Sequence, residues 1–161
     1  MGSTRESKLA DIGIQLLPAP RPVGTYVSFL LVGDLLYVSG QGPLMNDGSF
    51  ATGTLGKDLT TEQGYEHAKL AGAAVLSVVK SEVRLLANVN RVIKVFGMVN
   101  STPEFKEHPE VINGCSDLFM HVFGDHGKHV RSAVGMSSLP RGISVEIEAV
   151  FQIEPGSTVT A

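Results

Sequence analysis

The chain has 161 residues, 43% of them hydrophobic and 18% charged, with a formal net charge of -3. Those values exclude a disordered polyelectrolyte and argue against nucleic acid as a partner, because no Lys/Arg run is present to track a phosphate backbone. A single cysteine, Cys115, excludes an intrachain disulfide framework and fits a reducing compartment.

No apolar run is long enough to cross a bilayer. Residues 1–6 carry neither a signal-peptide core nor a myristoylation pattern, so a cytoplasmic protein without membrane attachment is expected. Residues 1–17 read as a flexible N-terminal arm, 18–154 as one domain and 155–161 as a flexible tail. Pro18, Pro20 and Pro22 stiffen the entry to the domain. Residues 26–32 and 35–39 are strand-like and flank Gly33-Asp34, a hairpin signal in which Gly33 supplies a positive φ. Asn46-Asp47-Gly48 marks a turn, with a short extra strand near residue 50. Thr60 and Gln63 form a capping box, and Ala68, Ala71, Val75, Val78, Val79 and Leu86 recur at helical spacing, which predicts a helix over about 61–86.

Residues 92–99 read as a buried strand. Pro109 suits the first turn of a second helix and Gly124 its stop. Val111, Ile112, Cys115, Phe119, Val122 and Phe123 make its apolar face. Residues 132–136 are a strand candidate, and Leu139-Pro140-Arg141-Gly142 is a turn. In the strand over 143–153, Val145, Ile147, Ala149 and Phe151 face one way, and Ser144, Glu146, Glu148 and Gln152 the other. The order predicts an α+β fold with two helices on one face of a sheet. The opposite face is polar, and is either solvated or buried against other subunits.

Arg131 and Glu146 would lie on neighbouring strands of a C-terminal hairpin. An arginine fork binds a carboxylate through two parallel hydrogen bonds, and a nearby glutamate orients or deprotonates water. An ordinary cross-strand ion pair on a wet sheet accounts for the same two residues, and from the residues alone both readings stand. Cys115 sits on an apolar helix face and reads as a small hydrophobe before it reads as a nucleophile. His121, His126 and His129 are separated by Gly124 and Gly127 and lack a metal-binding motif. Glu148 shares a face with Glu146 and is a second candidate acid. Gly40-Gln41-Gly42 has no following Lys-Ser/Thr and is not a phosphate loop.

Arg131-Ser132-Ala133-Val134, Leu139-Pro140 and Val145-Glu146-Ile147-Glu148-Ala149 together resemble the signature of the RidA/YjgF family, also called endoribonuclease L-PSP-like. The resemblance extends upstream through Gly24-Thr25-Tyr26-Val27, Tyr37-Val38-Ser39-Gly40-Gln41-Gly42-Pro43 and Val111-Ile112-Asn113, covering roughly residues 17–153. It implies a chorismate-mutase-like fold assembled as a homotrimer around a central barrel, with active sites at subunit interfaces. It implies hydrolysis of reactive enamines and imines to 2-oxo acids and ammonia, without metal or cofactor.

Carried over residue by residue, the resemblance makes Arg131 the clamp for the substrate carboxylate and Glu146 the holder of the attacking water. Tyr26, Ser39, Gly40, Asn113 and Ala133 would line the cleft. Ala133 stands where the archetype has cysteine, Thr25 replaces the usual proline, residues 107–111 are longer, and Gly135 and Met136 differ, which marks a divergent branch. Two other functions fit the same cleft: a non-catalytic module that binds small carboxylates, and a pathway-specific deaminase of the aminomuconate type. RNA cleavage, a label some relatives carry, is disfavoured by the net charge.

Overall fold

Thr60 starts the longest helix as its sequence requires. Its hydroxyl accepts from the Gln63 amide at 3.2 Å, and the Gln63 side chain accepts from the Thr60 amide at 2.9 Å. This computed structural model describes residues 4–159. The outermost parts of the expected arm and tail, residues 1–3 and 160–161, lie outside the described residues.

Helix α2 spans Thr61–Val83, three residues short of the expected end. Arg84 turns left-handed at φ 62, and a short 3-10 turn follows at Leu86–Asn88. That turn still buries Leu86 fully, and Asn88 Nδ2 donates to the Val83 carbonyl at 2.8 Å, satisfying an acceptor the helix end leaves open. Helix α3 spans His108–Phe123, with Pro109 in its first turn and Gly124 at its C-cap, as expected.

Five strands form one sheet: β1 (Phe29–Val32), β2 (Leu35–Gln41), β3 (Val89–Asn100), β4 (Val130–Met136) and β5 (Val145–Ile153), in the order β1-β2-β5-β3-β4. All neighbours are antiparallel except β3 and β4, which are parallel and joined through α3, the crossover that parallel neighbours need. β4 and β5 are therefore not a hairpin. The expected pairing fails because β3 is inserted between them, bonded to β4 on one side and β5 on the other.

Val38 of β2, Val92 and Val95 of β3, and Val145, Ile147 and Phe151 of β5 are buried against Ala68, Val75 and Val78 of α2 and Phe119 and Val122 of α3. Both helices thus cover one face, as the alternation along β5 predicts. Ser144 departs from that alternation: it is fully buried, and its hydroxyl meets His67 Nδ1 at 2.9 Å. Burial lowers the His67 pKa, with Glu66 opposing.

The other face is more apolar than β5 alone suggests. One row crosses the whole sheet through Leu30, Tyr37, Val150, Lys94 and Val130. Leu30 is 59% and Val130 67% exposed in the single chain.

The ends of the chain depart from expectation. Arg5–Asp11, expected within a flexible arm, forms a short helix, α1, capped by Thr4. Arg5 Nη1 donates to the Leu86 and Val89 carbonyls, and Glu6 accepts from the Leu86 amide at 2.7 Å. At the other end, the Val159 amide donates to the Glu82 carbonyl at 2.7 Å. Strand β1 begins at Phe29 and not at Tyr26; the last bond in its register is the Ser39 amide to the Ser28 carbonyl, and no ladder pairing continues through residues 26–27. The extra strand near residue 50 reduces to isolated bridges, Leu44 with Phe50 and Thr52 with Ile143. Among the described residues, no helix is long and apolar enough to cross a membrane.

Candidate functional site

Arg131 pairs with Val95 across the parallel ladder, and paired residues share a face. Val95 is buried under the helices, so Arg131 points to α3. Its Nη1 donates to Asn113 Oδ1 at 2.8 Å and to Ser116 Oγ at 3.0 Å, and its Nη2 to the Pro109 carbonyl at 3.3 Å. Asn113 and Ser116 lie three residues apart on α3, which places them on the same face.

A second layer holds Ser116. Its Oγ is 2.9 Å from His129 Nε2, and His129 Nδ1 is 2.6 Å from the Gly127 carbonyl. A carbonyl only accepts, so Nδ1 carries the proton and Nε2 takes the Ser116 hydroxyl hydrogen. The Ser116 lone pairs are left for Arg131. Burial lowers the His129 pKa; the Gly127 bond opposes this and the Arg131 charge adds to it. His129 is thereby held neutral beside the guanidinium.

Every group that grips Arg131 is neutral. Among the described residues the ion pairs join Lys69 to Glu66 and Lys128 to Asp125, and neither involves Arg131. The cross-strand ion pair with Glu146 does not form within the chain. Three of the five guanidinium donors are engaged, leaving two for a ligand. Ala133 lies on the same face two residues further along β4 and packs against the core. Beyond it, His108 Nε2 sits 3.1 Å from Ser101 Oγ, in the segment that the sequence marks as long.

Glu146 belongs to a different place. It pairs with Met98 on the open face of the sheet. Val95 and Met98 are three residues apart on β3, which separates β4 from β5, so Arg131 and Glu146 are roughly 14 Å apart at the backbone and on opposite faces. The Glu146 carboxyl lies directly over Gly40, where any added Cβ would overlap it. Burial raises its pKa, and the nearby Glu148 charge raises it further. A cavity of about 150 Å³ opens in front of it, lined also by Tyr26, Ser39, Gly40, Phe50 and Arg141.

The residues singled out in the sequence thus fall into two groups. Arg131, Asn113 and Ala133 gather under α3; Glu146, Tyr26, Ser39 and Gly40 gather at the cavity. Ser116 is a residue that the sequence does not single out, although its i, i+3 spacing from Asn113 points to it; His129, read from sequence only as a histidine without a metal motif, is instead the partner that holds Ser116. Cys115 is fully buried, and burial pushes its thiol pKa up, against the smaller opposing effect of Arg131. That is the environment of a packing residue. His121 donates to the Lys8 carbonyl at 2.9 Å, so it and His129 serve different partners.

A family profile described as "YjgF/chorismate_mutase-like, putative endoribonuclease" matches residues 6–145. The chain belongs to that family, which is the RidA/YjgF family its motifs resemble. It is 40% identical over 148 residues to the protein TCP17 of Trypanosoma cruzi, covering 91% of this chain and 92% of that one. A 2-iminobutanoate/2-iminopropanoate deaminase of Dermatophagoides farinae is 27% identical over 137 residues, with 84% and 91% covered. Among solved structures, the Agrobacterium tumefaciens protein Atu1372, of unknown function, superposes with a TM-score of 0.86 at 42% identity, covering 94% of this chain and 92% of that one.

Proposed function

We propose that the protein hydrolyses small enamine and imine carboxylates to 2-oxo acids and ammonia, in clefts completed by a second copy of the chain within a homotrimer. The observation that carries this reading is the Arg131 guanidinium, held in place by neutral groups with its charge uncompensated and two donors unused. Such a group is prepared for a carboxylate and makes little sense as a structural ion pair. The exposed apolar row on the open face supports closure of that face against other copies. Closure would bring the Glu146 cavity of one copy to the Arg131 edge of the next.

In that cleft Arg131 fixes the substrate carboxylate, with Asn113 and Ser116 fixing Arg131. An iminium carbon is already electrophilic, so placing a water against it is most of the task. Glu146, with its raised pKa, takes a proton from the water as the C–O bond forms. It then returns that proton to nitrogen, and as the C–N bond breaks the new hydroxyl gives up its own proton to solvent or to the departing ammonia, leaving C=O. One water is consumed, and ammonia and the 2-oxo acid leave. Gly40 lets the carboxyl approach the backbone, and Tyr26 and Ser39 shape the wall.

Complementation between inactive variants tests the reading. Arg131→Ala and Glu146→Gln each remove one half of the cleft. If every site takes its arginine and glutamate from different copies, a mixed trimer regains one intact site in three. Equal co-refolding of the two variants should then restore about a quarter of the wild-type ammonia release. No restoration, with mixed trimers verified by mass, would overturn the shared cleft.

A further inference from the structure

We infer that the cavity in front of Glu146 carries a second anion site, built on Arg141 and Arg21, that selects substrates bearing a carboxylate at the end remote from the imine. This rests on the reading of Glu146 as the residue that activates water, and adds to it the class of substrate.

Arg141 and Arg21 line the same cavity as Glu146, and both also line an adjoining space of about 550 Å³. Neither guanidinium has an ion-pair partner among the described residues. The acidic group of the adjoining space, Asp47, is committed to Ser49, accepting from its amide at 2.9 Å and its hydroxyl at 2.6 Å. The cavity therefore sets two uncommitted cations against one carboxyl that is half-buried.

The backbone at Arg141 adds an independent sign. Its φ of 57 and ψ of 18 lie in the left-handed region that side-chain-bearing residues rarely enter. The turn is held there on both sides: the Gly142 amide donates to the Leu139 carbonyl at 3.1 Å, the Ile143 amide to the Pro140 carbonyl at 3.3 Å, and the Gly142 carbonyl accepts from Gly53 at 3.1 Å. Glycine would adopt this conformation without strain. An arginine kept in it is being presented to the cavity at a conformational cost.

The ligand class follows from the layout. The carboxylate next to the imine is taken by Arg131 of the other half-site. A substrate whose imine carbon faces the water on Glu146 then directs its remaining chain along the cavity toward Arg141. A guanidinium fork recognises a carboxylate there by two parallel hydrogen bonds, so an imine derived from an acidic amino acid fits better than one from a neutral amino acid.

The test generates imines in place from neutral and acidic amino acids with an amino-acid oxidase, and follows their disappearance by semicarbazide trapping. In parallel, calorimetry measures binding of a 2-oxo monocarboxylate, a 2-oxo dicarboxylate and inorganic phosphate. The wild type should favour acidic imines by about tenfold or more in kcat/KM. Arg141→Gln should bring that ratio close to one, and Arg141→Lys should retain part of it. Arg141→Gly suits the left-handed backbone, so its loss of preference cannot be ascribed to misfolding. No preference in the wild type, or an equal loss on both substrates, overturns the second site. Phosphate binding as tightly as the dicarboxylate overturns selection for a carboxylate. Dicarboxylate binding that depends on Arg141, with no imine turned over, keeps the second site and sinks the deaminase reading. Turnover without an Arg141-dependent preference does the reverse.

Discussion

The two halves of the proposed cleft are built on opposite plans. Arg131 is gripped by Asn113, Ser116 and the Pro109 carbonyl, with His129 bracing Ser116 from behind. Among the described residues Glu146 has no such brace: it lies over Gly40, half-buried, with its pKa raised by burial and by Glu148. A group that binds by geometry gains from being fixed in advance. A group that must take up and release a proton gains from an environment that makes its charged form less comfortable. In the proposed reaction the contrast divides the labour, with orientation under α3 and proton transfer at the open face.

The sharpest way to break this division is Glu146→Gln. It should lower kcat by about 100- to 10,000-fold while a 2-oxo acid still binds within a few-fold of wild type, as stopped assays and calorimetry can check. An equal loss of binding would return Glu146 to a role in holding the ligand. Arg131→Ala should cost somewhat less, about 100- to 1,000-fold in kcat/KM or roughly 3–4 kcal/mol, and should abolish 2-oxo acid binding. Unchanged binding there would remove the clamp.

Smaller still is the effect of acid on the brace. His129 has a depressed folded pKa, so its contribution to stability is complete above its ordinary value of 6.5 and is lost as pH falls through the folded value. Protonation also turns Nε2 from acceptor to donor, which undoes its bond from Ser116. KM should therefore rise several-fold on the acid side, separately from the fall in kcat as Glu146 takes up its proton, and His129→Ala should show the raised KM at every pH. A KM in His129→Ala equal to that of the wild type at neutral pH would show that the brace does not matter.

The smallest expected effect concerns stability. The folded pKa of Glu146 is raised, so the folded form gains proton affinity. Stability then falls as pH rises from the ordinary value of 4.5 to the raised folded one. Glu146→Gln should remove that slope, by less than about 1 kcal/mol because the group is only half-buried, in thermal melts across this range.

Much of the scaffold could be read from the residues. The Thr60 and Gln63 capping box, the Pro109 and Gly124 limits of α3, and the alternation from Val145 to Phe151 are local signals, and local signals survive folding. The C-terminal hairpin that the sequence suggests does not form, because β3 enters between β4 and β5 from far away in the chain. Only the presence of α3 between two strands hinted at a parallel crossover. The polarity of Ser144 points it outside, but His67 satisfies its hydroxyl in the interior. Glu146 and Glu148 make the open face look polar along β5, whereas Leu30, Tyr37 and Val130 arrive on it from three other strands. Arg131 and Glu146 were legible as individual residues; their separation on opposite faces was not, because it depends on strand order.

The row from Leu30 to Val130 has a consequence for the life of a newly made chain. Folding one copy exposes this apolar stripe along with two unpaired sheet edges, β1 and β4, a combination that invites irregular sticking. Lys94 in the middle of the stripe and Glu148 beside it interrupt the stripe with charge, which slows wrong pairings without forbidding the right one. If the proposed homotrimer closes this face, a chain that meets its own kind quickly is safe. One made too sparsely, or with its open face altered, would then be exposed to proteolysis and precipitation for longer, so the proposed assembly makes abundance itself part of what protects the chain.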